Sequence, residues 1–209
     1  MSWPWVTLLA LGAWHGVNPG MGWLFAVSRG LQERRGGAVL GALPPIALGH
    51  ALAIGVALIV VAIGRASVPL VALRWATAAV LIGFGISRLF RHRHPRWVGM
   101  QVGFRDLTAW SFLMATAHGA GLMLAPLFVV DSARPSCHAD AGLVLSGPID
   151  YVVATAAHTA AMLTVAGAIA LIVYHKVGLT LLCKAWFNLD WLWALALIGA
   201  GVFAALAGS

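Results

Sequence analysis

The sequence predicts an all-α polytopic membrane protein, with six transmembrane helices arranged as a 3+3 inverted repeat and both termini extracytoplasmic. Three observations predict it. Of the 209 residues, 61% are hydrophobic and 9% charged; soluble domains run at roughly 45–50% and about 25%, so a water-soluble enzyme is excluded. Six apolar stretches reach the about 20 residues needed to cross the hydrocarbon of a bilayer. The Lys and Arg between them fall largely on alternate connections, as expected where basic loops stay in the cytoplasm. On so apolar a chain the net charge of +7 serves membrane orientation, and nucleic acid is not an expected partner.

The stretches are Trp3–Val27, Ala38–Ile63, Pro69–Leu89, Thr108–Val130, Ile149–Val173 and Trp186–Ala207. The first lacks a basic leader and outruns a signal peptide, so it is expected to stay in the mature chain. One side of the membrane receives Arg29, Arg34 and Arg35, then Arg88, Arg91, Arg93, Arg96 and Arg105, then Lys176 and Lys184; the other receives Arg65, Arg74 and Arg134 with Asp131, Asp140 and Asp150. The first side is therefore read as cytoplasmic, and the acidic loop near 131–148 as extracytoplasmic. Cys137 and Cys183 then lie on opposite sides and should not pair. The localisation expected is the cell membrane, multi-pass, of the bacterial inner-membrane kind. The ten Trp and 24 Gly suit interface anchoring and close helix approach.

Splitting the chain at 88–105 leaves three stretches on each side, and an odd number per half inverts one half against the other. The chain reads as one membrane domain, 1–209, with a first repeat over 1–90 and a second over 106–209. Ala13-Trp14-His15-Gly16 echoes Thr116-Ala117-His118-Gly119, each followed by a helix breaker, Pro19 in one half and Pro126 in the other; His50 and His158 come in the following stretch of each half. All four histidines fall near mid-depth of their stretches. Ionisable side chains at that depth are costly and mark functional sites by default, and neutral imidazole binds Zn, Cu, Ni and Fe or relays protons. His15, His50, His118 and His158 are thus the candidate metal ligands.

In Gly16-Val17-Asn18-Pro19-Gly20-Met21-Gly22 the proline removes a backbone donor and the glycines permit unusual angles, so the helix should break there. Broken helices at membrane depth line cavities and hold substrates in transporters. Asn18, Pro19 and Gly20 are therefore candidate substrate-binding residues. Asp190, which opens the last stretch among Trp186, Trp191 and Trp193, is a candidate gate or proton site. Cys137-His138-Ala139-Asp140 offers three ligand types for capturing a metal from outside, and Arg91-His92-Arg93-His94-Pro95-Arg96 suits anionic headgroups.

Asn18-Pro19-Gly20, followed by Arg34-Arg35-Gly36-Gly37, Gly41 and Leu48-Gly49-His50, resembles the opening of the LysE superfamily of six-helix membrane exporters, which includes amino-acid exporters and the NicO-type nickel and cobalt transporters. The resemblance covers about the first 60 residues and is architectural beyond them. It implies a transport role. Met21 stands where amino-acid exporters usually carry a second proline, and the His-x4-Asp-His of the nickel transporters is missing after His15, so the resemblance leaves the cargo undetermined.

These residues lead to a secondary transporter for a small solute, with a divalent transition-metal ion as the favoured cargo. Two alternatives stay open: an amino-acid or zwitterion exporter using half-helix dipoles, and a membrane redox subunit whose histidines hold haem or a fixed metal. No P-loop supports ATP-driven pumping. No cofactor is required, beyond a transition-metal ion as cargo or bound centre; the bilayer and the cargo are the expected partners, and homo-oligomer formation is left open.

Overall fold

The computed structural model describes residues 3–90, 103–130, 148–177 and 190–206, and among the described residues the fold is all-α with no strand. Helix α1 (Trp3–Val17) is followed by a 3-10 turn at Pro19–Met21 and by α2 (Trp23–Glu33); then come α3 (Gly36–Gly41), α4 (Leu43–Ser67), α5 (Leu70–Phe90), α6 (Phe104–Ala117), α7 (Ala120–Val130), α8 (Pro148–Ile172) with a π-helical turn at Val173–Val177, and α9 (Asp190–Leu206). Three helical stretches, Gly36–Ser67, Leu70–Ser87 and Ile149–Lys176, are long and apolar enough to cross a membrane. The pair α6–α7, bent by 51°, makes a fourth if it is counted as one span. Trp5–Val17 and Trp193–Leu206 are apolar but shorter.

Two expectations about breaks meet different outcomes. The first break falls where Pro19 and its glycines require it. The second does not fall at Pro126, which lies inside α7; α6 ends at His118 because Gly119 turns into the left-handed region at φ +69, where a side chain would be strained. The freed Gly119 amide donates to the Thr116 carbonyl, closing the turn. Helix α2 is the charged end of its half: the Glu33 carboxylate accepts hydrogen bonds from Arg29 and Arg35, and chiefly the Arg29 bond holds it below the usual carboxylate range.

Packing follows the glycines. Gly12 of α1 faces His158 and Ala161 of α8, and Gly16 faces Met162 and Val165, so α1 and α8 run in the same direction. Gly49 of α4 faces Thr108 to Phe112 of α6, and Ala53 to Ala57 meet Gly121 of α7, so α4 runs along α6–α7 in the same sense. In contrast, Gly85 of α5 meets Ala194 and Ile198 of α9 while Gly201 meets Ala78 and Ile82; α5 and α9 are antiparallel. The neighbours of each half are therefore drawn mainly from the other half. The core lies where these pairs cross, around Leu8, Ile54, Leu124 and Ala154 on one side and Ala26, Ile46, Leu107 and Met162 on the other. Large apolar side chains also face outward along α4, among them Leu52, Val56, Val60 and Ile63, a surface that water would not tolerate in a monomer.

A Cβ added at Gly49 would collide with the Thr108 carbonyl and the Phe112 amide, backbone that cannot step aside. Gly49→Ala is expected to lower stability by about 1–3 kcal/mol, as overpacking does, while Gly55→Ala, which meets nothing within 4 Å, leaves it unchanged or slightly raised. Thermal unfolding of both variants in detergent checks the pair; an equal fall in Tm would contradict the packing described.

Candidate functional site

The α1 break leaves backbone groups without helical partners, and the sequence supplies replacements. The Asn18 side-chain oxygen accepts from the Gly20 amide at 2.8 Å, an N-cap in miniature. The Trp23 indole N–H donates to the Val17 carbonyl at 3.2 Å, and that of Trp110, from α6, donates to the Gly20 carbonyl at 3.1 Å. Asn18 is nearly buried, and among the described residues its Nδ2 has no partner. Gly20 packs against Met114 and His118 of α6. The break is thus seated on the other half of the chain.

Three of the four candidate histidines come together. His15 from α1, His50 from α4 and His158 from α8 are each fully buried. Their ring centres form a triangle with sides of 5.6 Å (His15–His50), 5.1 Å (His15–His158) and 5.5 Å (His50–His158). A carbonyl only accepts, so the contacts of His15 Nδ1 with the Leu11 carbonyl at 2.6 Å and of His158 Nδ1 with the Leu8 carbonyl at 3.0 Å require Nδ1–H on both rings. Both Nε2 atoms then present lone pairs. Those Nε2 atoms and both ring nitrogens of His50 are buried and, among the described residues, have no hydrogen-bond partner. A buried polar atom left without a partner costs about 1–3 kcal/mol, so four at one place mark a point where a proton, water or ion would be stabilised. Thr159 Oγ1, beside His158, and Trp14 Nε1, beside His15, are orphaned in the same way.

His118 does not complete a four-membered ring of imidazoles. Its Nδ1 bonds the Met114 carbonyl at 2.8 Å, the same i to i−4 pattern as His15, but its ring lies edge-on to Trp193, 5.6 Å between centres. Trp193 in turn lies 4.7 Å from His15 and 5.9 Å from Trp14. Trp193 and Trp23 are buried within the protein, each drawn inward by ring or backbone partners. Sequence reasoning had no signal for Trp193 beyond its place on the face of α9 that turns to α5 and α7. Asp190 opens α9, and its side chain lies outside the described residues, as do Cys137, His138, Asp140 and the basic run 91–96.

Three imidazoles around one tetrahedral ion, with metal–nitrogen bonds near 2.0–2.1 Å, put their ring centres about 5 Å apart, which is the spacing here. The aim of the nitrogens is another matter: the rings of His50 and His158 lie parallel, 4° between planes, and among the described residues no group of three His, Cys, Asp or Glu side chains is placed so that it could hold a metal. The spacing of the rings is compatible with a shared ion, and the directions of their nitrogens are not those of a formed metal site. What the geometry defines, among the described residues, is an all-α protein with a buried imidazole cluster beside a broken helix. No family model, curated protein or solved structure matches the chain.

The replacements at the break carry measurable stability. Trp110→Phe keeps the edge-on ring contact with Phe25 and loses the bond to Gly20, so it is expected to cost about 1 kcal/mol; Asn18→Ala is expected to cost a similar amount. Unfolding midpoints of the two single variants and the double variant check this, and losses near zero would mean the break is held by something else.

Proposed function

We propose that this chain is an integral membrane secondary transporter, with a divalent transition-metal ion as cargo bound by His15, His50 and His158. The observation that carries the reading is the triangle of buried imidazoles from three helices, with the Nε2 lone pairs of two of them fixed outward from their carbonyl bonds. Donors of this kind suit late first-row ions. The rings are spaced for a shared ion, and loading it would require their nitrogens to turn toward one point. The ion enters and leaves past the Asn18-Pro19-Gly20 break, where the helix is interrupted just after His15.

The membrane arrangement belongs to the same proposal: six crossings, cytoplasmic basic loops, and halves related as an inverted repeat. In this reading α1–α2 corresponds to α6–α7, α4 to α8 and α5 to α9. Several features support it: both first crossings are broken just after a histidine, α4 and α8 have 25 residues each, and α1 lies on α8 as α6 lies on α4, each pair parallel, while α5 and α9 run antiparallel. Rocking of one half against the other about these contacts would open the cluster to either face.

Purified protein in liposomes loaded with a metal-sensitive dye is expected to carry Zn, Co, Ni or Cu ions across the bilayer, and His15→Ala or His158→Ala is expected to abolish that flux while the fold survives. Transport of an amino acid, unaffected by those substitutions, would replace this reading with the zwitterion exporter; a visible haem band in the purified protein would replace it with the redox subunit.

A further inference from the structure

Resting on that reading of the cluster, we propose that Trp193 sets the number of ligands the cargo meets: it keeps His118 out of the site, so that the ion is held by three imidazoles and an open position instead of four imidazoles. The indole is nearly buried and packs against both rings concerned, 4.7 Å from His15 and 5.6 Å from His118. It is also held from behind by Trp14 and by the cluster of Leu81, Met123 and Leu197, so it does not swing aside freely. His118 follows the His15 pattern closely, a ring at the end of the first helix of its half with Nδ1 on the carbonyl one turn back. What differs between the halves is the residue alongside. Gly85 and Gly201 occupy matching positions in the α5–α9 contact, and just over two turns before each stands Thr77 in α5 and Trp193 in α9. Thr77 is small and turns its hydroxyl back to the Leu73 carbonyl of its own helix; Trp193 fills the centre.

The chemical consequence concerns release. Four protein ligands close a tetrahedral site, as in structural zinc centres, while three leave a coordination position for exchange. A transporter must let its ion go. Trp193 therefore acts as a specificity and release determinant, and it makes the two halves functionally unequal.

The test pairs a binding measurement with one that needs no metal. In detergent, Trp193→Ala is expected to bind Zn about tenfold more tightly than the wild type because a fourth imidazole closes the tetrahedral site, and X-ray absorption at the zinc edge is expected to count four imidazoles instead of three. His118→Ala should cost Zn affinity less than about threefold with Trp193 present and more than about tenfold in the Trp193→Ala background, a double-mutant cycle that separates contact from bystander effects. In liposomes Trp193→Ala is expected to lower KM and kcat together, which a loosened structure alone would not do. Independently, His15→Cys with His118→Cys, in a chain whose Cys137 and Cys183 are replaced by Ser, should be bridged by a short bifunctional thiol reagent far faster when Trp193 is also Ala. Trp193→Leu serves the same comparisons if Trp193→Ala fails to fold. Equal cross-linking with and without the indole, or an unchanged imidazole count, would overturn the role of Trp193. Absence of metal binding in every variant, with cross-linking still controlled by residue 193, would instead overturn the metal cargo and leave Trp193 as the partition.

Discussion

Two imidazole N–H groups bonded to carbonyls of one helix decide what this bundle can do. His15 and His158 both anchor on α1, at Leu11 and Leu8, and each anchor fixes a tautomer whose other nitrogen carries a buried lone pair. Without the anchors the rings would be free to exchange protons and orientation, and the triangle with His50 would have no defined chemistry. With them, the site has two committed acceptors and one imidazole, His50, whose two nitrogens are both uncommitted among the described residues.

The anchors depend on close helix approach. The His158 side chain reaches Leu8 because its own backbone carbonyl rests on Gly12, where any Cβ would push α8 away. The same device on α4, Gly49 against α6, brings Ser111 to the Ile46 carbonyl at 2.7 Å and seats the Trp110 indole on the α1 break. Small residues thus set the distances, polar groups of neighbouring helices satisfy backbone carbonyls at the break, and the imidazoles hold four of the eight buried side-chain atoms without a hydrogen-bond partner among the described residues. In lipid the cost of such unused groups is not relieved by water, which is why their concentration at one point carries functional weight.

Much of this was legible in the residues and some was not. Helical class and the break at Asn18-Pro19-Gly20 follow from composition and from a proline flanked by glycines, signals that act locally. The gathering of His15, His50 and His158 follows from polar residues placed at similar depth in apolar stretches, since depth is read from spacing. The second break was misread because Pro126 looks like the stronger breaker; within α7 its missing N–H is tolerated, while Gly119 is decisive only through a left-handed φ that a sequence does not display. In the sequence Trp193 stands only as one of the tryptophans around Asp190. Its inward position depends on which face of α9 meets α5 and α7, and on Trp14 and His15 as partners, none of which a single helix specifies. Full symmetry between the four histidines failed for the same reason: the repeat predicts equivalence, and one bulky side chain removes it.

The most direct measurement is nitrogen NMR of the histidine rings in the detergent-solubilised protein, with and without cadmium as a spectroscopic stand-in for the cargo. The account predicts Nδ1-protonated His15 and His158 in the free protein, with bare Nε2 atoms that shift and couple to cadmium when it is added, joined by one nitrogen of His50. Nε2-protonated rings, or ring signals indifferent to cadmium, would contradict it.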